Sequence, residues 1–189
     1  MGKILCFLSE DFADFEITLA CHKIRNAGKR DVLSMGYNYE IITSESGLFY
    51  KPNLIIKEAM ELEDIEGLII PGGPIRNQLK ELTDLIRKLD QEGKMLAAIC
   101  NGPQYLGRAG LLNTCKFTTS CSKEKINKMN EADPFPWENY IDKRVVREGN
   151  IITAKGRAFV DFSFAIFEYL GIYRNEEEER QLYVDIMDR

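Results

Sequence analysis

The sequence predicts an α/β domain built on a mostly parallel central sheet. Short apolar runs alternate with helix-length amphipathic segments, and glycines mark most of the turns between them. One run, Met95–Ile99, is uncharged throughout, as a strand buried on both faces of a parallel sheet must be. No repeat, low-complexity tract or interdomain linker breaks the alternation. Residues 1–175 therefore read as one domain, and 176–189 as a helical tail packed on it.

Each element has its own signal. Lys3–Leu8 is a short apolar run without helical period, hence a first strand. Asp14–Ala27 reads as a helix with Asp14 as N-cap, an Ile17/Cys21/Ile24 stripe, and Gly28 as its stop. Asp31–Ser34 and Glu40–Thr43 read as strands, and 47–54 as a small hairpin or irregular excursion. Gly67–Ile70 is a buried strand ended by Pro71-Gly72-Gly73-Pro74. Asn77–Gln91 follows as an amphipathic helix with Leu79, Leu82, Ile86 and Leu89 on its stripe. After Met95–Ile99 come a short helix to Ala109, a short strand Lys116–Thr118, a polar helix Lys123–Met129 and a Pro-rich loop around Trp137. Val145–Arg147 and Ile151–Thr153 pair as a hairpin, Ala158–Leu170 is the last core helix, and Glu176–Asp188 is an acidic tail helix.

Composition narrows the function. The 189 residues hold 25 Lys plus Arg against 30 Asp plus Glu, a net charge of −5, which has the wrong sign for a nucleic-acid binder. No window approaches the roughly 20 uncharged residues of a membrane helix. The first apolar run is too short for a signal peptide's core, so the expected location is the cytoplasm. Five cysteines without a C-x-x-C pair indicate reduced thiols rather than disulfides or a zinc site. A single histidine, His22, rules out any site that needs several. It lies six residues beyond Glu16, about 240° around the helix, and off the apolar stripe, which makes it a surface residue.

The chemistry concentrates in Ala97-Ala98-Ile99-Cys100-Asn101-Gly102-Pro103. A buried strand turns within about two residues into a helix, and a cysteine stands on the corner: a nucleophile elbow. Gly102 supplies the small neighbour that such a turn needs, and Pro103 suits the first helical turn. At a helix N-terminus the thiolate gains from the dipole and from unpaired N–H groups, so the Cys100 pKa is expected to fall.

With these residues in view, the chain resembles the ThiJ/PfpI family within the class I glutamine-amidotransferase-like superfamily. Four segments carry the resemblance: Ser9–Glu16, Ile69–Gly73, Ala98–Pro103 with Gly110-Leu111-Leu112, and Thr153–Gly156. It implies a flavodoxin-like three-layer sandwich, a homodimer and a reactive Cys100. It also implies a partner acid at Glu16, and two anions in one small pocket share a single negative charge more readily than they both ionise. The glycine turn faces the cysteine in the family, so the N–H groups of Gly73 and Asn101 are candidate oxyanion donors, with Gly72 and Gly102 supporting the elbow.

The departures are as informative. Peptidase-like members carry a histidine after the nucleophile, where this chain has Asn101. Others place one in the stretch that here reads Thr118-Thr119-Ser120-Cys121, and the late His-x-Glu of the amidotransferases has no counterpart in Thr153–Gly156. Hydrolysis of a peptide or glutamine needs a general acid for the leaving amine, so both activities are disfavoured. The expectation is a cofactor-free, metal-free cysteine enzyme acting on small reactive carbonyls, glyoxalase- or deglycase-like. The alternatives are a sensor whose Cys100 is oxidised to sulfenate or sulfinate, or a chaperone-like module. Cys121 is a candidate resolving thiol for such a sensor or a structural cysteine, and Trp137 a cover for the pocket, a dimer contact or packing for its own loop. The partners expected are a small-molecule substrate or oxidant and a second copy of the chain, with neither nucleic acid nor membrane.

Overall fold

The computed structural model describes residues 2–128 and 132–187. The chain runs β1 (Lys3–Phe7), α1 (Phe15–Asn26), β2 (Asp31–Gly36), β3 (Ile42–Thr43), β4 (Phe49–Tyr50), β5 (Leu54–Ile55), α2 (Ile56–Ala59) and β6 (Ile65–Ile70). It continues through α3 (Lys80–Gln91), β7 (Met95–Ile99), α4 (Pro103–Arg108), α5 (Lys123–Lys128), β8 (Val145–Glu148), β9 (Ile151–Ala154), α6 (Phe159–Leu170) and α7 (Glu176–Met187). Seven strands form one sheet in the order β5-β2-β1-β6-β7-β9-β8, parallel except for the β8–β9 hairpin. β3 and β4 make a separate antiparallel pair.

The period-two alternation of the central strands divides their side chains between two cores. Leu5, Leu68, Leu96 and Ala98 face α3 and α4, with Leu82, Leu85, Ile86 and Leu106. Ile4, Ile69, Ala97 and Ile99 face α1 and α6, with Ile17, Ile24, Phe162 and Ile166. The result is the three-layer sandwich expected from the sequence, and β7 is buried along its whole length. The tail helix α7 lies outside both cores: none of its residues is fully buried, and it reaches the domain through Leu182 and a Tyr183–Phe164 edge contact at 5.1 Å. Among the described residues no helix is long and apolar enough to cross a membrane.

Several boundaries differ from expectation. Helix α3 begins at Lys80 instead of Asn77, and Leu79 is 51% exposed rather than on the stripe, because the chain leaving the glycine turn stays non-helical until then. Lys116–Thr118 is no strand; Phe117 makes only an isolated bridge to Tyr140. Glu40 falls outside β3, and the four-residue α2 carried no sequence signal. Asp14 stands at the expected N-cap position of α1 but its side chain does not cap the helix: its backbone is already helical, and its buried carboxylate accepts from Ser44 Oγ (3.0 Å), Ser46 Oγ (2.7 Å) and Tyr50 OH (3.2 Å). Those three hydroxyls hold its pKa down against the opposing effect of burial. Met129 and Asp188, the far ends of two expected helices, lie outside the described residues.

The two-core arrangement predicts very different costs on α6 and α7. Phe162, fully buried on the inner face of α6, should lose about 3–5 kcal/mol on replacement by alanine. Leu182→Ala should lose roughly 1 kcal/mol or less, since its site is half open. Urea denaturation of the two variants measures both, and equal losses would mean that α7 is part of the core.

Candidate active site

The strand order brings three turns to one point. In the sheet register Ile70 of β6 lies beside Ala98 of β7, and Ala154 of β9 beside Ile99. The residues that follow, Pro71-Gly72-Gly73 on one side and Lys155-Gly156 on the other, therefore emerge next to Cys100. Cys100 itself has φ +61°, in the left-handed region that a side chain occupies at a cost of roughly 1–2 kcal/mol. Its backbone is held on both ends: N donates to Ala154 O at 2.8 Å, and O accepts from Ser120 N at 2.9 Å and from Thr119 Oγ1 at 2.6 Å.

The glycines are required by clearance. A Cβ on Gly72 would stand 2.5 Å from both Cys100 Cβ and Glu16 Oε2, and one on Gly156 would stand 2.6 Å from Glu16 Oε1 and 3.0 Å from Cys100 Sγ. At Gly102 it would meet three backbone oxygens, the nearest Ile70 O at 2.6 Å. Gly73 combines φ +142° with a Cβ position 3.0 Å from Asp11 O.

Glu16 enters from the first turn of α1. It is only 2% exposed, its Oε2 accepts from Gly72 N at 2.7 Å, and it is hydrogen-bonded to the Cys100 thiol. Burial drives its pKa up to about 7, against the pull of the Gly72 N–H and the thiol, and the charge of Glu45 adds to the rise. Cys100 departs from the expectation of a lowered pKa. Burial first, and then the neighbouring Glu16 charge, push it up to about 12, while Ser120 Oγ and the Asn101 N–H hydrogen-bond to the sulfur and work the other way. Above about pH 7 the pair holds one proton, on the sulfur; below it the Glu16 carboxyl is protonated as well.

Above the sulfur opens a pocket of about 220 Å³ lined by Asp11, Ala13, Glu45, Gly73, Pro74, Cys100 and Asn101. The Asn101 side chain donates to Gly73 O at 2.8 Å and so ties the elbow to the glycine turn. At the rim Arg76 pairs with Asp11 at 3.0 Å. The residues expected to form the site, Cys100, Glu16, Gly72, Gly73, Asn101 and Gly102, meet here. His22 does not: it is exposed on α1 beside Asn26. Cys121 is buried on the opposite face of the sheet, with Phe117, Ile126 and Phe135, which suits a structural cysteine better than a resolving thiol. Trp137 packs on its own loop, donating to Asp133 at 2.6 Å and meeting Phe135 and Tyr140.

Sequence reasoning passed over Ser120, Gly156 and the acidic rim of Asp11 and Glu45. Ser120 had a usable signal, since it lies in the segment where some relatives carry a histidine. The rim had none, because the β3–β4 excursion that brings Glu45 across is irregular.

The raised Glu16 pKa fixes a sign for stability. Below about pH 4.5 the carboxyl is protonated in both states; between that and about 7 the unfolded chain ionises first, so stability falls as pH rises. Carrying the carboxyl from 4.5 to about 7 amounts to roughly 3 kcal/mol of lost stability at about pH 8. Glu16→Gln, which does not titrate, should therefore gain on wild type between about pH 4 and 8 in urea denaturation. A difference independent of pH would contradict the raised pKa.

Comparison with known proteins shows which family the fold belongs to. The model of the DJ-1/PfpI family matches residues 2–169. Deglycase PfpI of Pyrococcus furiosus is 31% identical over 158 residues, covering 81% of this chain and 89% of its own. An uncharacterized protease, YdeA of Bacillus subtilis, is 25% identical over 190 residues, 98% of this chain and 91% of its own. Among solved structures, a DJ-1 superfamily protein from Agrobacterium tumefaciens is similar at a TM-score of 0.81 and 26% identity, covering 98% of each chain. With a family match over nearly its whole length and a relative above 30% identity, the chain belongs to the DJ-1/PfpI family.

Proposed function

We propose that the chain is a cofactor-free cysteine enzyme acting on small reactive carbonyl compounds, with Cys100 as nucleophile and Glu16 as the group that moves the proton. The observation that carries this reading is the hydrogen-bonded Cys100–Glu16 pair, with Cys100 lining an open pocket and the buried carboxyl poised near 7. A general base works best when its pKa lies near the working pH. A thiol that keeps its proton until the substrate arrives then needs such a base beside it.

With an α-oxoaldehyde such as methylglyoxal, the Glu16 carboxylate takes the Sγ proton as sulfur bonds to the aldehyde carbon. The carbonyl oxygen, receiving the electron pair, turns toward the N–H groups of Gly73 and Asn101 and is protonated to a hemithioacetal. Moving the remaining aldehyde hydrogen to the adjacent carbonyl carbon, as a proton carried by Glu16 through an enediol, gives a thioester of lactate. Water cleaves that thioester and restores the thiol; the sum is methylglyoxal plus water giving lactate. No leaving amine has to be protonated, so the route asks nothing of a histidine. The pocket's small volume suits such substrates, and several relatives named deglycases support the same class of chemistry. The sensor reading gains less support, because a thiol pushed up to about 12 is mostly in the form that reacts slowly with peroxide.

Methylglyoxal loss and lactate formation by wild type, Cys100→Ser and Glu16→Gln test the proposal. Cys100→Ser should lose at least about 10³-fold and Glu16→Gln about 10²- to 10⁴-fold in kcat/KM. For wild type the rate should rise with pH through about 7, as Glu16 loses its proton. Absence of turnover by wild type across a panel of related aldehydes would sink the enzyme reading.

A further inference from the structure

A second cleft, of about 170 Å³, opens between β1, α1, β2 and the β3–β4 hairpin, and shares no lining residue with the Cys100 pocket. Two thiols face into it. Cys6 stands in the middle of β1 and is 3% exposed; Cys21 comes from α1 and is half-buried. The two are hydrogen-bonded to each other. Their contact is made by the packing of α1 on β1, which brings two thiols from different elements to the wall of one cleft. The cleft is several times the volume of a water molecule, roughly 30 Å³, and admits a hydroperoxide.

We propose that Cys6 and Cys21 form a peroxide-oxidisable dithiol that closes to a disulfide between β1 and α1, without participation of Cys100. The Cys21 thiolate attacks one peroxide oxygen; the O–O bond breaks, and the departing oxygen takes a proton. The Cys6 sulfur then displaces the hydroxyl of the resulting Cys21 sulfenic acid, forming the S–S bond and releasing water with the Cys6 proton. In sum two thiols lose two electrons and two protons, and a hydroperoxide is reduced to water and the corresponding alcohol, or to two waters. The order follows from the surroundings: Cys6 donates its S–H to Cys21 and lowers the Cys21 pKa, whereas Cys6 itself is pushed well up by that bond and by burial. Cys21 is the only one of the five cysteines held below its ordinary value.

The test treats wild type and Cys100→Ser with hydrogen peroxide, then alkylates remaining thiols under non-reducing denaturation and measures intact mass. Both proteins should lose two alkylatable thiols and two hydrogens in mass, reversibly with dithiothreitol. Trypsin leaves Cys6 and Cys21 in one peptide, so cleavage at Glu10 and Glu16 is needed to show the linked pair. Cys21→Ser and, independently, Cys6→Ala should yield no linked peptide, which guards against either variant failing to fold. The proposal is overturned if Cys100→Ser keeps all its cysteines alkylatable, gains only oxygen, or links any other pair.

Discussion

The left-handed backbone of Cys100 is the constraint on which the site depends. A β7 that simply continued would leave the sulfur inside the sheet; the reversal at φ +61° turns it to the mouth of the pocket. That conformation is tolerated because the carbonyl and amide of Cys100 are tied to β9 and to the 119–120 segment, and because Gly72 and Gly156 leave the space the side chain needs. These two glycines stand in the turns that follow β6 and β9. Only with β7 between β6 and β9 do Gly72 and Gly156 flank one sulfur, so sheet order and site geometry are one requirement.

The electrostatics of the pocket follow from what the elbow packs against. A helix N-terminus contributes about 0.3–1 kcal/mol to a nearby anion, and α4 is only six residues long. Removing a thiolate from water beside a carboxylate opposes it by several times as much. Burial and Glu16 therefore outweigh the dipole. The sulfur in such a site is activated at the moment of attack, by proton transfer, and not by resting ionisation.

Much of this was legible in the sequence where local chemistry and long-range packing demand the same thing. The uncharged run 95–99, the Cys-Asn-Gly-Pro corner and the Gly-Gly turn after Ile70 each have one structural solution, and all three are found at the site. Legibility fails where a distant segment decides. Asp14 has the composition of an N-cap, yet its carboxylate is claimed by hydroxyls from the 44–50 excursion. Leu79 continues a helical spacing by coincidence, since the chain before Lys80 is held non-helical, with Arg76 N donating to the buried Gln104 side chain at 3.0 Å. The Cys6–Cys21 contact carries no spacing at all: it exists because one face of β1 meets one face of α1.

Helix α1 thereby serves two sulfurs in opposite ways. Its first turn offers Glu16 to Cys100, and one and a half turns further on it carries Cys21 to Cys6. Both thiol sites are largely removed from water, and burial alone would raise every pKa in them. The neighbour makes the difference. A carboxylate can only accept, so it holds the proton on Cys100; a second thiol can donate, so it gives its hydrogen bond to whichever sulfur is ionised. Because Cys21 retains some exposure and Cys6 almost none, the charge settles on Cys21. Composition, which registers five similar free cysteines, cannot separate them; the identity of the single group within hydrogen-bonding reach of each sulfur does.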